Sequence, residues 1–283
     1  MIKNIVKFIY LPFFLIIGNG ISIYMVEQEY SRLFLLLLVI GFIGVSFIIE
    51  KIMPYDTKYN EPQGDRLRDF LHAIFNESIS IIGLLSVPFI IVIVPTASLW
   101  PSELPIIVQL LIAIFIADIG ITLIHYVSHK NILLWKFHAV HHSIKRMYGF
   151  NGLMKHPIHQ IIETLAGVTP LIILGIPQDI ISLLLVAVIL QLLLQHSNVC
   201  YFTGPLRYLL AVNKLHRFHH LNTAKEGNVN FGLFTTFTDH LLGTYFFDEK
   251  RKIKIKDLGM QDFPDYPVQY LEQIAEPFRN SKR

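Results

Sequence analysis

The sequence predicts an all-α protein: a polytopic membrane bundle of about four to six transmembrane helices, capped on the cytoplasmic side by histidine-rich helices. Three observations carry this expectation. Of 283 residues, 53% are apolar and only 16% charged, with a mean hydropathy of +0.49, whereas a soluble domain carries about a quarter charged residues. The apolar residues fall into runs comparable to the ~20 residues a helix needs to cross a bilayer. Histidines, finally, are gathered and not scattered: five of the thirteen lie in HYVSHKNILLWKFHAVHH, between His125 and His142, and a second triplet, HRFHH, follows at His216.

The first run, Ile5 to Met25, lacks a small-residue cleavage site and reads as a retained helix, not a signal peptide. Leu33 to Ile49 is slightly short but workable. Ile74 to Val94 contains Pro88, and Pro105 to Ile124 leads straight into His125. Ile161 to Ile176 and Ile180 to Leu194 flank a Gly-Ile-Pro turn at Gly175 to Pro177. That pair reads equally as two spans or as a hairpin that only enters the membrane. After Leu194 the chain turns polar and ends in a tail with Pro264, Pro267 and Pro277. Three regions follow: an N-terminal transmembrane region over 1–104, a catalytic region with membrane helices over 105–248, and a cytoplasmic tail over 249–283.

Loop charge sets the orientation, because cytoplasmic loops collect Lys and Arg. Lys3 and Lys7 precede the first run, and Lys51, Lys58, Arg66 and Arg68 separate the second from the third. Lys130, Lys136, Lys145, Arg146 and Lys155 follow the fourth, and KRKIKIK lies at Lys250 to Lys256. Both termini and every histidine box are therefore expected in the cytoplasm, in a bacterial inner membrane or the endoplasmic reticulum. A net charge of +3 is too modest to argue for nucleic acid. No glycine-rich phosphate loop is present, and the single Cys200 excludes an internal disulfide and a multi-cysteine metal site. The sequence leaves the oligomeric state open.

On a helix, residues three and four apart share a face. His125 projects with His129, His138 with His141 and His142, and His216 with His219 and His220. Adjacent imidazoles are costly to desolvate and repel when protonated, and a metal ion removes both problems. Eight imidazoles exceed what one ion can hold, so two metals are expected. His196, in QHSN, is a further candidate ligand. His156, in KHPIH, reads equally as a ligand or as a group supporting one. Asp118, two turns before His125 in an apolar helix, is expected to accept from the outer nitrogen of a ligating ring, and Asp239 to play a similar supporting part. His72 and His240 read as packing or surface residues.

These elements together resemble the fatty acid hydroxylase superfamily, the membrane group that includes sterol desaturases and alkylglycerol monooxygenase. The resemblance rests on D-x6-HxxxH at Asp118 to His129, LWKFHAVHHS at Leu133, HP at His156, QHSN at Gln195, GPLRY at Gly204, LHRFHH at Leu215, NFG at Asn230 and DHLLGTY at Asp239. It implies a centre of two iron ions, for which zinc can substitute in a purified sample, using O2 on a C–H bond of a lipid drawn from the bilayer. Hydroxylation and desaturation are both within that implication. Carried over by position, the ligands are His125, His129, His138, His141, His142, His196, His216, His219 and His220, with Asn230 joining Asp118 and Asp239 in support. Many members place a carboxylate two residues after the HP proline, where this chain has His159, and several place Gln or His where it has Leu192. A tenth ligand is thereby left to His156 or water. With no cytochrome b5 module in the sequence, electrons are expected from a separate donor of the cytochrome b5, ferredoxin or reductase type. Two other classes compete. A membrane zinc hydrolase would need an HExxH-type glutamate, and a metal transporter or sensor would spread polar ligands through the spans.

Overall fold

The computed structural model describes residues 2–93, 97 and 99–279. Val94, at the end of the third predicted run, lies outside them, as do Met1 and residues 280–283 of the predicted tail. Among the described residues, six helical stretches are long and apolar enough to cross a membrane. The first is α1 (Ile2–Pro12), a π-helical turn (Phe13–Gly18) and α2 (Asn19–Glu27) run together. The π turn follows Pro12, which has no N–H to give and crowds the carbonyl four residues back. The others are α3 (Arg32–Ile52), α4 (Arg66–Ile93), α5 (Ile106–Lys130), α7 (Pro157–Leu174) and α8 (Gln178–His196), with α6 (Ile132–His142) between α5 and α7. Among the described residues there is no β-strand, only isolated bridges.

The bundle has two unlike ends. Residues 28–31 and 175–177 make tight links at one, where Arg32 pairs with Asp179 and the N–H of Ala97 reaches Ile173 O at 2.7 Å. The long connections 53–65, 131–156 and 197–279 gather at the other end into a cap. The cap has its own apolar core around Tyr59, Val140, Met147, Met154, Phe218 and Ile253. It also contains the short helices α9 (Asn213–His219), α10 (Ala224–Gly227), α11 (Phe237–Leu242) and α12 (Tyr270–Ala275).

α8 runs through the middle. Of its apolar window 83% is buried, against 22–33% for the other five spans, as expected of a helix apolar all round. A tight turn joins it to α7: Gly175 closes α7 in a left-handed conformation, and Pro177 precedes the first residue of α8. The pair is thus two full helices, each long enough to cross. α5 crosses α7 at Gly120, where a Cβ would stand 2.1 Å from Ala166 O, a small-residue contact of the kind that brings membrane helices together.

α4 begins two turns earlier than its apolar run. Those turns carry Arg68, Asp69 and His72, all buried, and they enter the cap instead of lipid. Asp69 accepts from Tyr148 Oη at 2.7 Å and Asn151 Nδ2 at 3.0 Å. His72 sits between Lys155 O and Gln273 Oε1, both at 2.9 Å, so it is a hydrogen-bonded core residue. Glu50, at the end of α3, accepts from the N–H groups of Gly149 at 2.6 Å and Asn198 at 3.0 Å. These acids fix the 3₁₀ turn Gly149–Leu153, which lies flat on α8 because Gly152 has no side chain to meet Leu192 O.

Candidate metal centre

Three helix junctions bring the histidines together. Asn131 ends α5 and starts α6, its Oδ1 accepting from the N–H groups of Leu133 and Leu134, so the end of one box turns back onto the next. α9 is tied to the end of α8 by Asn213, whose Nδ2 donates to Ser197 O at 3.0 Å and Val199 O at 2.9 Å. At the third junction, His156 precedes α7 and caps it.

Nine imidazoles form two groups. Site 1 comprises His125, His129, His138, His142 and His219; site 2 comprises His141, His196, His216 and His220. Each triplet is divided between them. His138 and His142, four apart on α6, face site 1 while His141 turns to site 2; His219 faces site 1 while His216 and His220 turn to site 2. Within site 1, His142 Nε2 lies 3.1 Å from His129 Nε2 and 3.0 Å from those of His138 and His219. Within site 2, His196 Nε2 lies 3.2 Å from His141 Nε2 and 3.0 Å from His216 Nε2, which is 3.1 Å from His220 Nε2.

These close pairs are not ordinary hydrogen bonds. His141 Nδ1 donates to Met154 O at 2.9 Å and His196 Nδ1 to Leu192 O at 3.1 Å. A carbonyl only accepts, so each Nδ1 bears the proton and each Nε2 presents a lone pair. His125 and His219 are set the same way by Phe231 O and Val229 O, both at 2.9 Å, and His125 Nε2 is buried without a partner. Lone pairs facing one another need a cation between them. Protons are poor candidates: burial, and then the neighbouring imidazoles, push His138, His142, His216, His219 and His220 well below the usual histidine value. Burial, aided by the Lys155 ammonium, pushes His141 down to about 3. A metal ion fits. With metal–nitrogen bonds of about 2.0–2.1 Å, neighbouring nitrogens stand about 3.0 Å apart at right angles and about 3.4 Å apart at tetrahedral angles. The observed spacings match the right-angled set, and five imidazoles at site 1 already exceed a tetrahedral shell.

One loop arranges most of site 1. Asn228 Oδ1 accepts from His129 Nδ1 at 2.8 Å, next to the Val229 and Phe231 carbonyls already named. Asn230 between them takes a left-handed φ of 54°, and its Nδ2 donates to Leu215 O at 3.0 Å and Phe246 O at 2.8 Å. The next five backbone N–H groups end on two carboxylates. Asp239 accepts from Phe231 at 2.8 Å and Gly232 at 2.9 Å; Asp118 accepts from Leu233 at 3.1 Å, Phe234 at 2.8 Å and Thr235 at 3.0 Å. The expected bond from Asp118 to an imidazole is therefore corrected. Asp118, Asp239 and Asn230 make no hydrogen bond to a ring of either site and act through the loop that does.

His156 stands outside both groups. Its Nδ1 accepts from the N–H of Ile158 at 3.1 Å and its Nε2 reaches Ile274 O at 3.2 Å, so it caps α7 with both nitrogens engaged. His240 is exposed, with Nε2 3.2 Å from Tyr208 O. Beside site 1, His159 and Glu163 join His138 in a third small group. His159 Nε2 lies 3.0 Å from Ser128 Oγ, and Glu163 pairs with Lys155 at 2.5 Å. Glu163 escaped the sequence reading, although its four-residue spacing from His159 in an apolar run was the available signal.

A cavity of about 20 Å³ lies between the two sites and the spans, lined by His125, His138, His141, His196, Lys155 and Glu163 among others. It has room for a molecule the size of water. A separate cavity of about 1030 Å³ lies between α3, α4 and α8 and touches none of the nine histidines.

Residues 110–244 match the family described as fatty acid hydroxylase. An ornithine lipid hydroxylase (OlsE) of Rhizobium tropici is 28% identical over 250 residues, covering 85% of this chain and 74% of that protein. No solved structure matches the chain.

Proposed function

Because the chain carries a fatty acid hydroxylase domain over residues 110–244, we propose that it is a membrane lipid hydroxylase that holds two iron ions and uses O2 to hydroxylate a C–H bond. The observation that carries this reading is the division of nine inward-facing imidazoles into two groups with nitrogens 3.0–3.2 Å apart. His125, His129, His138, His142 and His219 would hold one ion, and His141, His196, His216 and His220 the other. The ions would supply the oxidising chemistry that amino-acid side chains lack.

The chain's own part is positioning and exclusion. The carbonyls of Met154, Leu192, Val229 and Phe231 keep four rings in the tautomer that offers Nε2. Ile121, Leu192 and Leu233 give the cavity between the sites an apolar wall toward the spans, the direction from which a lipid tail arrives. Such placement decides which carbon reacts. An ornithine lipid is the first substrate to try, on the strength of the relative. Desaturation of the same C–H bond is the neighbouring outcome. The electrons come from a separate carrier of the cytochrome b5, ferredoxin or reductase type. Lys136, Lys145, Arg146 and Lys155 in the connection 131–156, with Lys51, Arg66 and Arg68 flanking 53–65, support a cytoplasmic cap, and an even number of spans would bring both termini to that side.

Among the described residues no carboxylate enters either histidine group, and Glu163, which groups with His138 and His159, is tied to Lys155, which disfavours a hydrolase. Ligands gathered at one end of the bundle equally disfavour a transporter. The test is lipid mass spectrometry of cells with and without the protein, supplied with ornithine lipid, alongside iron analysis of protein purified under reducing conditions. A gain of one oxygen with about two irons per chain is expected from the nine-histidine shell. Loss of two hydrogens would make it a desaturase, and an unchanged lipid profile with iron bound would overturn the oxygenase reading.

A further inference from the structure

The two ion sites differ in their access to solution. A cavity of about 260 Å³ opens on the cap between residues 129–132, at the end of α5, and residues 221–228 and 259–263. His129, His142 and His219 line it, all from site 1, and no residue of site 2 does. Burial shows the same asymmetry: His129 alone of the nine is only half-buried, and all four rings of site 2 are buried. The way His129 is held makes a third difference. The other inward-set rings with a defined Nδ1 acceptor use backbone carbonyls, while His129 depends on the side chain of Asn228, itself part of the cavity wall. Trp135 stands in the wall, its ring 5.0 Å from that of His129 and 5.4 Å from that of His142.

Building on the two-ion reading, we infer that this cavity is a port through which site 1 exchanges a hydrated divalent metal ion with aqueous solution, leaving site 2 as the resident ion. Asn131, Asn222, Thr223, Asn228 and Asp262 give the port oxygen and nitrogen atoms suited to an ion shedding water. His129 is the first imidazole an entering ion meets, and Trp135 limits the width of the passage. Site 2 is met instead by the 20 Å³ space facing the spans, which His141, His196 and His216 line.

The experiment uses the full chain in detergent, loaded with Zn2+ and then mixed with excess EDTA, a hydrophilic chelator. Residual zinc per chain is followed in time. Two phases of one ion each are expected, the faster by at least about tenfold, equivalent to about 1.4 kcal/mol in barrier. Ala224→Trp, at an exposed position on the rim, is expected to slow the fast phase alone, and Trp135→Ala to quicken it. Two ions leaving in a single phase, or a fast phase indifferent to both substitutions, would overturn the port. Fewer than two zinc ions per chain before EDTA is added would count instead against the two-ion reading.

Discussion

Site 1 and site 2 contain the same side chain and are built on opposite plans. Site 2 is set by helices and the turn packed on them. His196 is oriented by Leu192 O in its own α8, and His141 by Met154 O, just beyond the 3₁₀ turn that lies on α8. Site 1 is set from a distance, with three of its five rings taking their orientation from Asn228, Val229 and Phe231. That loop has no helical hydrogen bonds to hold it. Two buried carboxylates, Asp118 and Asp239, take five consecutive N–H groups instead. The same kind of ligand can thus be held rigid through secondary structure or through side chains, and only the second plan puts single distant residues in control of a site.

The largest expected effect comes from breaking the helix-built site. His141→Ala should abolish hydroxylated lipid and remove the site 2 ion with helicity retained; normal product from that variant would exclude His141 as a ligand. Asp239→Asn should strike the loop-built site alone. The amide can accept from one of the two N–H groups but not both as a carboxylate does, and site 1 affinity should fall by about 10–100-fold. Metal analysis after limited chelation should then show one ion retained; equal loss at both sites would erase the distinction between the two plans.

Acid should weaken both sites together. In the metal-free fold, burial keeps His141 neutral down to about pH 3, whereas an unfolded histidine takes up a proton near pH 6.5. The unfolded chain therefore binds more protons between these values, and stability present above pH 6.5 is lost as pH falls. Each such ring contributes a loss of up to about 1.4 kcal/mol per pH unit. A thermal midpoint of metal-free protein unchanged from pH 7.5 to 5 would contradict this. The smallest effect is expected at His156: His156→Ala should cost about 1 kcal/mol for the lost helix cap and leave the metal content of both sites unchanged.

The first four spans were legible in the sequence because membrane spans announce themselves by length and composition, whereas the two runs over 161–194 were too short for composition alone to tell a pair of spans from a hairpin. The start of α4 was not legible, because Arg68, Asp69 and His72 look like a polar loop until their partners Tyr148, Asn151, Lys155 and Gln273 are known, and these lie far along the chain. Spacing likewise marked out the histidine boxes but not how each triplet divides. Residues 138, 141 and 142 lie within a little over one turn, and which side of that arc meets which ion depends on where α8 and α9 stand. The role of Asp118 was misjudged for a related reason. Its helical register points it at His125, but its partners come from 115–117 residues away.

The enclosure of α8 bears on how the chain is assembled in the cell. Its Gln191 and Gln195 are buried and find their acceptors at Ala211, Gly232 and Leu233, residues that leave the ribosome after the helix itself. When α8 emerges, five earlier spans can already surround it, yet its amides remain without those partners. Folding of this membrane protein therefore ends where its chemistry begins, as the last third of the chain closes over the bundle.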